Sequence, residues 1–264
     1  MSHDQDTSAI EALDDAWRVL YAAGARVPPA EVVVAADVTY GSMGVPVPPL
    51  NNVFAARFGR EDAGQRIDEV AAWYRARDVP LIWWVSPADR PADLGELLVA
   101  HGFVEENETV PGMVADLSAL PAEPPPVGID IELVRDARAL AEACEVLVAG
   151  FGLPAVAGEA LARLGALGFG ADVPLHTFIA RMGGKAVGTS LGVVAGRSIA
   201  VFNVATLAEA RGRGVGRAVT LAAMRDGAEH GAEIALLQSS AMGHPVYERL
   251  GFRDFAAYRL FLRP

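Results

Sequence analysis

Arg211-Gly212-Arg213-Gly214-Val215-Gly216 follows the apolar run Ser198 to Thr206 and opens a stretch of helical periodicity. Glycine carries no Cβ, so its backbone N-H approaches an anion closely, and its positive φ values aim several amides at one point. The helix start adds unpaired first-turn amides and the positive end of the dipole. Arg211, Arg213 and Arg217 supply formal charge, and the run reads as a phosphate cradle. The glycines alternate and no third one stands three positions after Gly214, which excludes a dinucleotide fingerprint; no Lys-Ser or Lys-Thr pair closes the run as in a P-loop.

These residues resemble the Arg/Gln-x-x-Gly-x-Gly/Ala signature of the GNAT superfamily of N-acetyltransferases. The order that follows is similar too: a helix from Gly216 to Gly231, an apolar strand Ala232 to Gln238, then His244-Pro245-Val246-Tyr247-Glu248-Arg249-Leu250-Gly251-Phe252. That last segment resembles the family's Tyr-x-x-Leu-Gly-Phe ending. The resemblance implies acetyl-CoA as cosubstrate, its pyrophosphate held by Arg211, Gly212, Arg213, Gly214, Val215 and Gly216, with Arg217 one position on. It implies that Val204, Ala205 and Thr206 contact the pantetheine arm through backbone groups, and that Tyr247 protonates or hydrogen-bonds the sulfur. An aromatic ring packing helix to sheet is the competing role for Tyr247.

Acetyl transfer needs a neutral amine, a polarised thioester carbonyl and a proton for the thiolate. No general base is evident. Asn203, on the central strand, can position an amine or a water but cannot take its proton, and a satisfied core amide is an equal reading. His176 and His244 have suitable intrinsic acidity, although packing or surface roles are commoner for such histidines. The apolar joint Phe151-Gly152-Leu153-Pro154 stands where the family selects its acceptor. Position 241 is alanine where many members carry asparagine, leaving Ser239 or Ser240 as substitutes.

The elements around these residues read β, α, α, β, β, β, α, β, α, β from Ile129 onward. Earlier, the strand Pro80 to Val85, the helix Leu94 to Ala100, His101-Gly102-Phe103 and the strand Gly112 to Leu117 repeat the closing stretch, with 149 residues between the Gly-Phe pairs. An internal duplication follows. In the earlier copy, between the apolar run Val53 to Phe58 and the helix Ile67 to Arg77, Gly59-Arg60-Glu61-Asp62 replaces the cradle with acid, and Leu98 stands for the tyrosine. The fold class expected is α/β (α+β), with two GNAT-like domains, each a mixed sheet flanked by helices. Residues 1–120 form the degenerate copy, 121–128 a Pro-rich linker, and 129–264 the catalytic copy, with one cofactor per chain.

The 264 residues are 52% hydrophobic and 21% charged, which describes an ordinary globular chain. Acidic residues outnumber basic ones 20 to 8 before Pro126, and the balance is 13 to 14 from there on. Nucleic acid is therefore an unsuitable partner, while an acidic half can steer a cationic amine. The start Met1-Ser2-His3-Asp4-Gln5-Asp6 lacks a signal pattern, and no run reaches membrane-spanning length, so a cytoplasmic protein is expected. Cys144 alone forms no intrachain disulfide, and His3, His101, His176, His230 and His244 show no metal-ligand spacing, so no metal is expected. The leading reading is an N-acetyltransferase acting on a small-molecule or protein amine, with formation of a homodimer left open. A non-catalytic acyl-CoA-binding module is the alternative.

Overall fold

A computed structural model describes residues 3–170 and 174–263, with the side chains of His3 and Asp4 outside that description. In chain order the elements are α1 (His3–Gly24), β1 (Glu31–Val34), β2 (Thr39–Ser42), β3 (Asn51–Phe54), α2 (Ala63–Arg75), β4 (Leu81–Val85), α3 (Leu94–Ala100), β5 (Val104–Glu105) and β6 (Val110–Asp116). There follow β7 (Asp130–Leu133), α4 (Ala137–Phe151), α5 (Ala155–Gly165), β8 (Leu175–Met182), β9 (Lys185–Ala195), β10 (Ser198–Thr206), α6 (Val215–Glu229), β11 (Ile234–Gln238), α7 (His244–Glu248) and β12 (Arg253–Arg263). The chain divides into two compact units: one runs to Gly112 and takes in the segment from Asp254 onward, and the other is Met113–Arg253.

The division differs from the expected boundaries at both ends. Met113 to Ala119 folds with the second unit, where Met113, Ala115 and Leu117 enter a core with Ile199, Met224 and Leu237. The closing strand β12 folds with the first, pairing antiparallel with β4 from Arg259↔Val85 to Arg263↔Leu81 and burying Phe261 against Trp83, Leu94 and Leu98. The Pro-rich stretch lies inside the second unit: the Arg225 guanidinium donates to the carbonyl oxygens of Pro121 and Glu123, both at 2.7 Å. A local reading of proline composition finds an extended segment but not the side chain that fastens it.

In the first unit β1, β2 and β3 are antiparallel and β3 runs parallel to β4 through Asn52↔Ile82 and Val53↔Trp83. Of the apolar run Val53 to Phe58 only Val53 and Phe54 are strand, because Ala55 takes a left-handed φ of 57°. In the second unit β7 to β10 form an antiparallel meander, and β10 runs parallel to β11 through only three positions, Ser198↔Ile234 to Ala200↔Leu236. The closing turns of the two units share a geometry. Gly102 and Gly251 have φ of 86° and 91°, the Phe103 amide donates to Leu98 O at 3.0 Å, and the Phe252 amide donates to Tyr247 O at 3.1 Å. Leu98 and Tyr247 thus hold equivalent places in the two turns.

Candidate active site

The site lies in the second unit at the end of β10. Thr206 pairs with Gly188 of β9, but pairing with β11 has ended six residues earlier, so the two parallel strands separate toward the loop. Between Phe202 and Ala205 the register with β9 shifts, and Asn203 adopts φ 55°, a left-handed conformation that costs a residue with a Cβ about 1–2 kcal/mol. That bulge turns Asn203 toward α4 and α5, where it lines an apolar cavity of about 30 Å³ with Leu140, Cys144, Leu147, Leu161 and Leu191. Gly150 lets α4 approach: a Cβ there would lie 2.9 Å from Ala205 Cβ. The approach carries the joint Phe151 to Pro154 to this end of the sheet, with the Phe151 ring exposed. Burial pushes the Cys144 thiol up to about 11, which leaves it inert at neutral pH.

Beyond β10 the chain turns through Ala208–Ala210 and reaches the glycines. Gly212 and Gly214 have φ of 74° and 83°, and Gly214 caps α6 with no side-chain hydrogen bond. A helix start without a side-chain cap leaves the amides of Val215, Gly216 and Arg217 for an outside acceptor. Gly216 sits over the strand end, a Cβ there being 3.5 Å from Thr206 Oγ1. Val204, Ala205, Thr206 and the run Arg211 to Gly216 therefore form one continuous edge. Arg211 and Arg213 are exposed. Arg217 is engaged elsewhere, its guanidinium donating to Glu123 Oε2 at 2.8 Å.

The Tyr247 ring is buried with Leu221, Leu237, Leu250 and Phe252, so the packing role is real. Its hydroxyl has no hydrogen-bond partner among the described residues, and burial pushes its pKa up to about 12. At neutral pH it is a protonated donor with a proton to give. His176 is held by Asp226 of α6, Nδ1 to Oδ2 2.6 Å, on the sheet face that α6 covers and away from the Asn203 cavity. His244 pairs with Glu248 at 3.7 Å. The Ser239 hydroxyl donates to Ser240 O, and the Ser240 hydroxyl accepts from the Gly243 amide, so both serines serve the turn into α7. No described carboxylate lines the cavity around Asn203. The cavity's helix-borne leucines and Cys144 escaped the sequence reading, although they are the apolar stripe of two amphipathic helices.

The corresponding place in the first unit is built differently. Arg66 of α2 is bound by Asp37 at 2.7 and 2.8 Å and also pairs with Glu69, while Arg60 pairs with Asp93. Its cations are neutralised, and Glu61 and Asp62 stand before the helix.

A bulged central strand, a glycine-opened helix and a tyrosine on the last short helix define a fold that comparison identifies. Residues 174–254 match the model described as Acetyltransferase (GNAT) domain. Among solved structures, a GCN5-related N-acetyltransferase from Kribbella flavida aligns with TM-score 0.75 at 20% identity, over 97% of this chain and 95% of that one. A GCN5-related N-acetyltransferase from Sphaerobacter thermophilus aligns with TM-score 0.64 at 18% identity, over 89% and 75%. A tandem GNAT protein from the clavulanic acid biosynthesis pathway aligns with TM-score 0.61 at 15% identity, over 92% and 87%. No curated protein matches the chain. Residues 174–254 therefore resemble a GNAT acetyltransferase domain, and the chain has the fold of the solved GCN5-related N-acetyltransferases. Among the described residues no helix is long and apolar enough to cross a membrane.

Proposed function

We propose that the second unit transfers an acetyl group from acetyl-CoA to an amine. The observation that carries this reading is the uncapped start of α6, opened by two left-handed glycines at the end of a strand that has left its parallel neighbour. Acetyl-CoA, when bound, supplies the thioester and the binding energy of its diphosphate. The amides of Val215 to Arg217 and the exposed Arg211 and Arg213 hold the phosphates, each charge-assisted bond contributing about 1.5–3 kcal/mol. The free edge of Val204 to Thr206 aligns the pantetheine by backbone bonds. The amine, entering between the α4–α5 joint and the Asn203 bulge, attacks the thioester carbonyl carbon, and collapse of the tetrahedral adduct breaks the C–S bond. The Tyr247 hydroxyl gives its proton to the leaving sulfur and is reprotonated from solvent. With no described carboxylate in the cavity, the attacking amine arrives already neutral and sheds its extra proton to water.

The acceptor, a small-molecule or protein amine, would present its amino group at the Asn203 cavity, which at about 30 Å³ takes about one water-sized group. The first unit, with its paired arginines and acidic helix start, contributes no second cofactor site in this reading. The test is calorimetric titration with acetyl-CoA, followed by release of free coenzyme A across an amine panel. One site per chain with amine-dependent release supports the proposal. Tight binding without turnover, indifferent to Tyr247→Phe, would make the unit a non-catalytic acyl-CoA binder.

A further inference from the structure

At the end of α6 away from Gly214, Asp226 and His230 lie one helical turn apart and share a face. Gly227 brings this end down onto the sheet, since a Cβ there would lie 2.5 Å from Ile199 Cγ2. On β8, His176 pairs with Gly192 of β9, which has no side chain to occupy the space beside the imidazole. The three functional groups consequently meet. His176 Nδ1 is 2.6 Å from Asp226 Oδ2, His230 Nδ1 is 2.8 Å from the Asp226 carbonyl oxygen, and the two ring centroids are 4.9 Å apart. One ligating atom from each residue lies within 4.8 Å of the other two.

The protonation pattern suits a metal. A carbonyl oxygen only accepts, so His230 Nδ1 carries the proton and Nε2 keeps its lone pair. An imidazole anchored through one nitrogen to a carbonyl or carboxylate is the usual state of a metal-binding histidine. Asp226 adds an oxygen donor whose negative charge complements a dication. Two imidazoles and one carboxylate form a set suited to zinc-class ions, with a further position for water. Tetrahedral bonds of about 2.0–2.1 Å place ligand atoms roughly 3.4 Å apart. Closing from the present spacing falls to the His230 ring, which is half exposed.

We propose that His176, Asp226 and His230 bind one divalent ion of the zinc class, fastening the end of α6 to β8. The helix rises about 1.5 Å per residue, so Asp226 lies about 18 Å along it from Gly214, and the site stands independently of the acetyl-transfer reading. It departs from the expectation of no metal, which rested on sequence spacing: Asp226 and His230 are near in sequence, but the third proposed ligand comes from 50 residues earlier.

The experiment uses the tag-free full chain, stripped with chelator and titrated with Co²⁺, followed by Zn²⁺ competition. The proposal expects one Co²⁺ per chain, visible ligand-field absorption displaced by Zn²⁺, and a higher Tm with metal. His230→Ala removes a half-exposed ring and should leave the metal-free Tm unchanged while weakening binding at least about tenfold, the loss that even an outer-shell partner costs. His176→Gln, which keeps a polar partner for Asp226, should do the same. Absence of bound Co²⁺ in the wild-type chain would overturn the site, as would equal binding by the wild type and both variants.

Discussion

Replacing Gly214 by alanine tests the cradle more sharply than a charged substitution, because the change is one methyl group. Gly214 has φ 83°, and left-handed backbone costs a residue with a Cβ about 1–2 kcal/mol. The new Cβ would also lie 3.0 Å from Pro126 Cγ, so the loop or the proline must give by a few tenths of an ångström. If the loop gives, the first-turn amides of α6 turn away from the phosphates. Losing one such bond, worth about 1.5–3 kcal/mol, raises the acetyl-CoA Kd about 10- to 100-fold. The strain alone lowers Tm by about 2–8 °C. Gly196, in the β9–β10 turn with φ 57° and open space around it, is the control: Gly196→Ala carries similar strain without touching the loop. Calorimetry and thermal melts on both variants separate the effects. A Gly214→Ala chain that binds acetyl-CoA as tightly as the Gly196→Ala chain would refute the phosphate assignment.

Tyr247→Phe should lower turnover about 10- to 100-fold with little change in acetyl-CoA affinity, since a positioned proton donor contributes at least that much; steady-state rates beside calorimetry decide it. Because burial holds the Tyr247 phenol at about 12, the rate should rise with pH as the amine deprotonates and show no loss of the donor below about pH 11. Glu123→Gln frees Arg217 and should tighten acetyl-CoA a fewfold at low salt, the gain fading as salt rises. In the first unit, burial raises Asp14 from 3.8 to about 7, with Asp89 adding to the rise. The folded state thus holds that proton more tightly than the unfolded chain, so the associated stability is full below about pH 4 and is lost as pH climbs through 7. Asp14→Asn should therefore raise Tm relative to wild type more at pH 8 than at pH 5, and an equal effect at both would remove burial as the cause.

Local chemistry was readable in the sequence because it is written locally. Gly212 and Gly214 announce left-handed backbone wherever they fall, and Tyr247 to Phe252 forms a turn whose hydrogen bonds span five residues. The β8–β9–β10 meander follows from alternation and turn residues, and β10 ends where expected, at Thr206. Long-range pairing left less trace. Nothing in Arg253 to Arg263 says that it belongs beside Leu81 to Val85, since a strand's periodicity defines its faces but not its neighbours. Arg225 likewise reads as a solvated helix charge until the carbonyls of Pro121 and Glu123 are found against it. The Asn203 bulge was hidden for another reason: an asparagine tolerates left-handed backbone without requiring it.

The placement of β12 reverses the usual order of synthesis and folding. Domains generally fold as they leave the ribosome, first unit first. Here the first unit cannot seat Phe261 among Trp83, Leu94 and Leu98 until β12 is made, Phe261 standing roughly 150 positions after Gly112. At about 5–20 residues per second that is a wait of roughly 7–30 s with one edge of β4 open. Deleting β12 should accordingly injure the first unit, and a nascent chain arrested at Arg253 would expose the β4 backbone as an edge for another strand to claim.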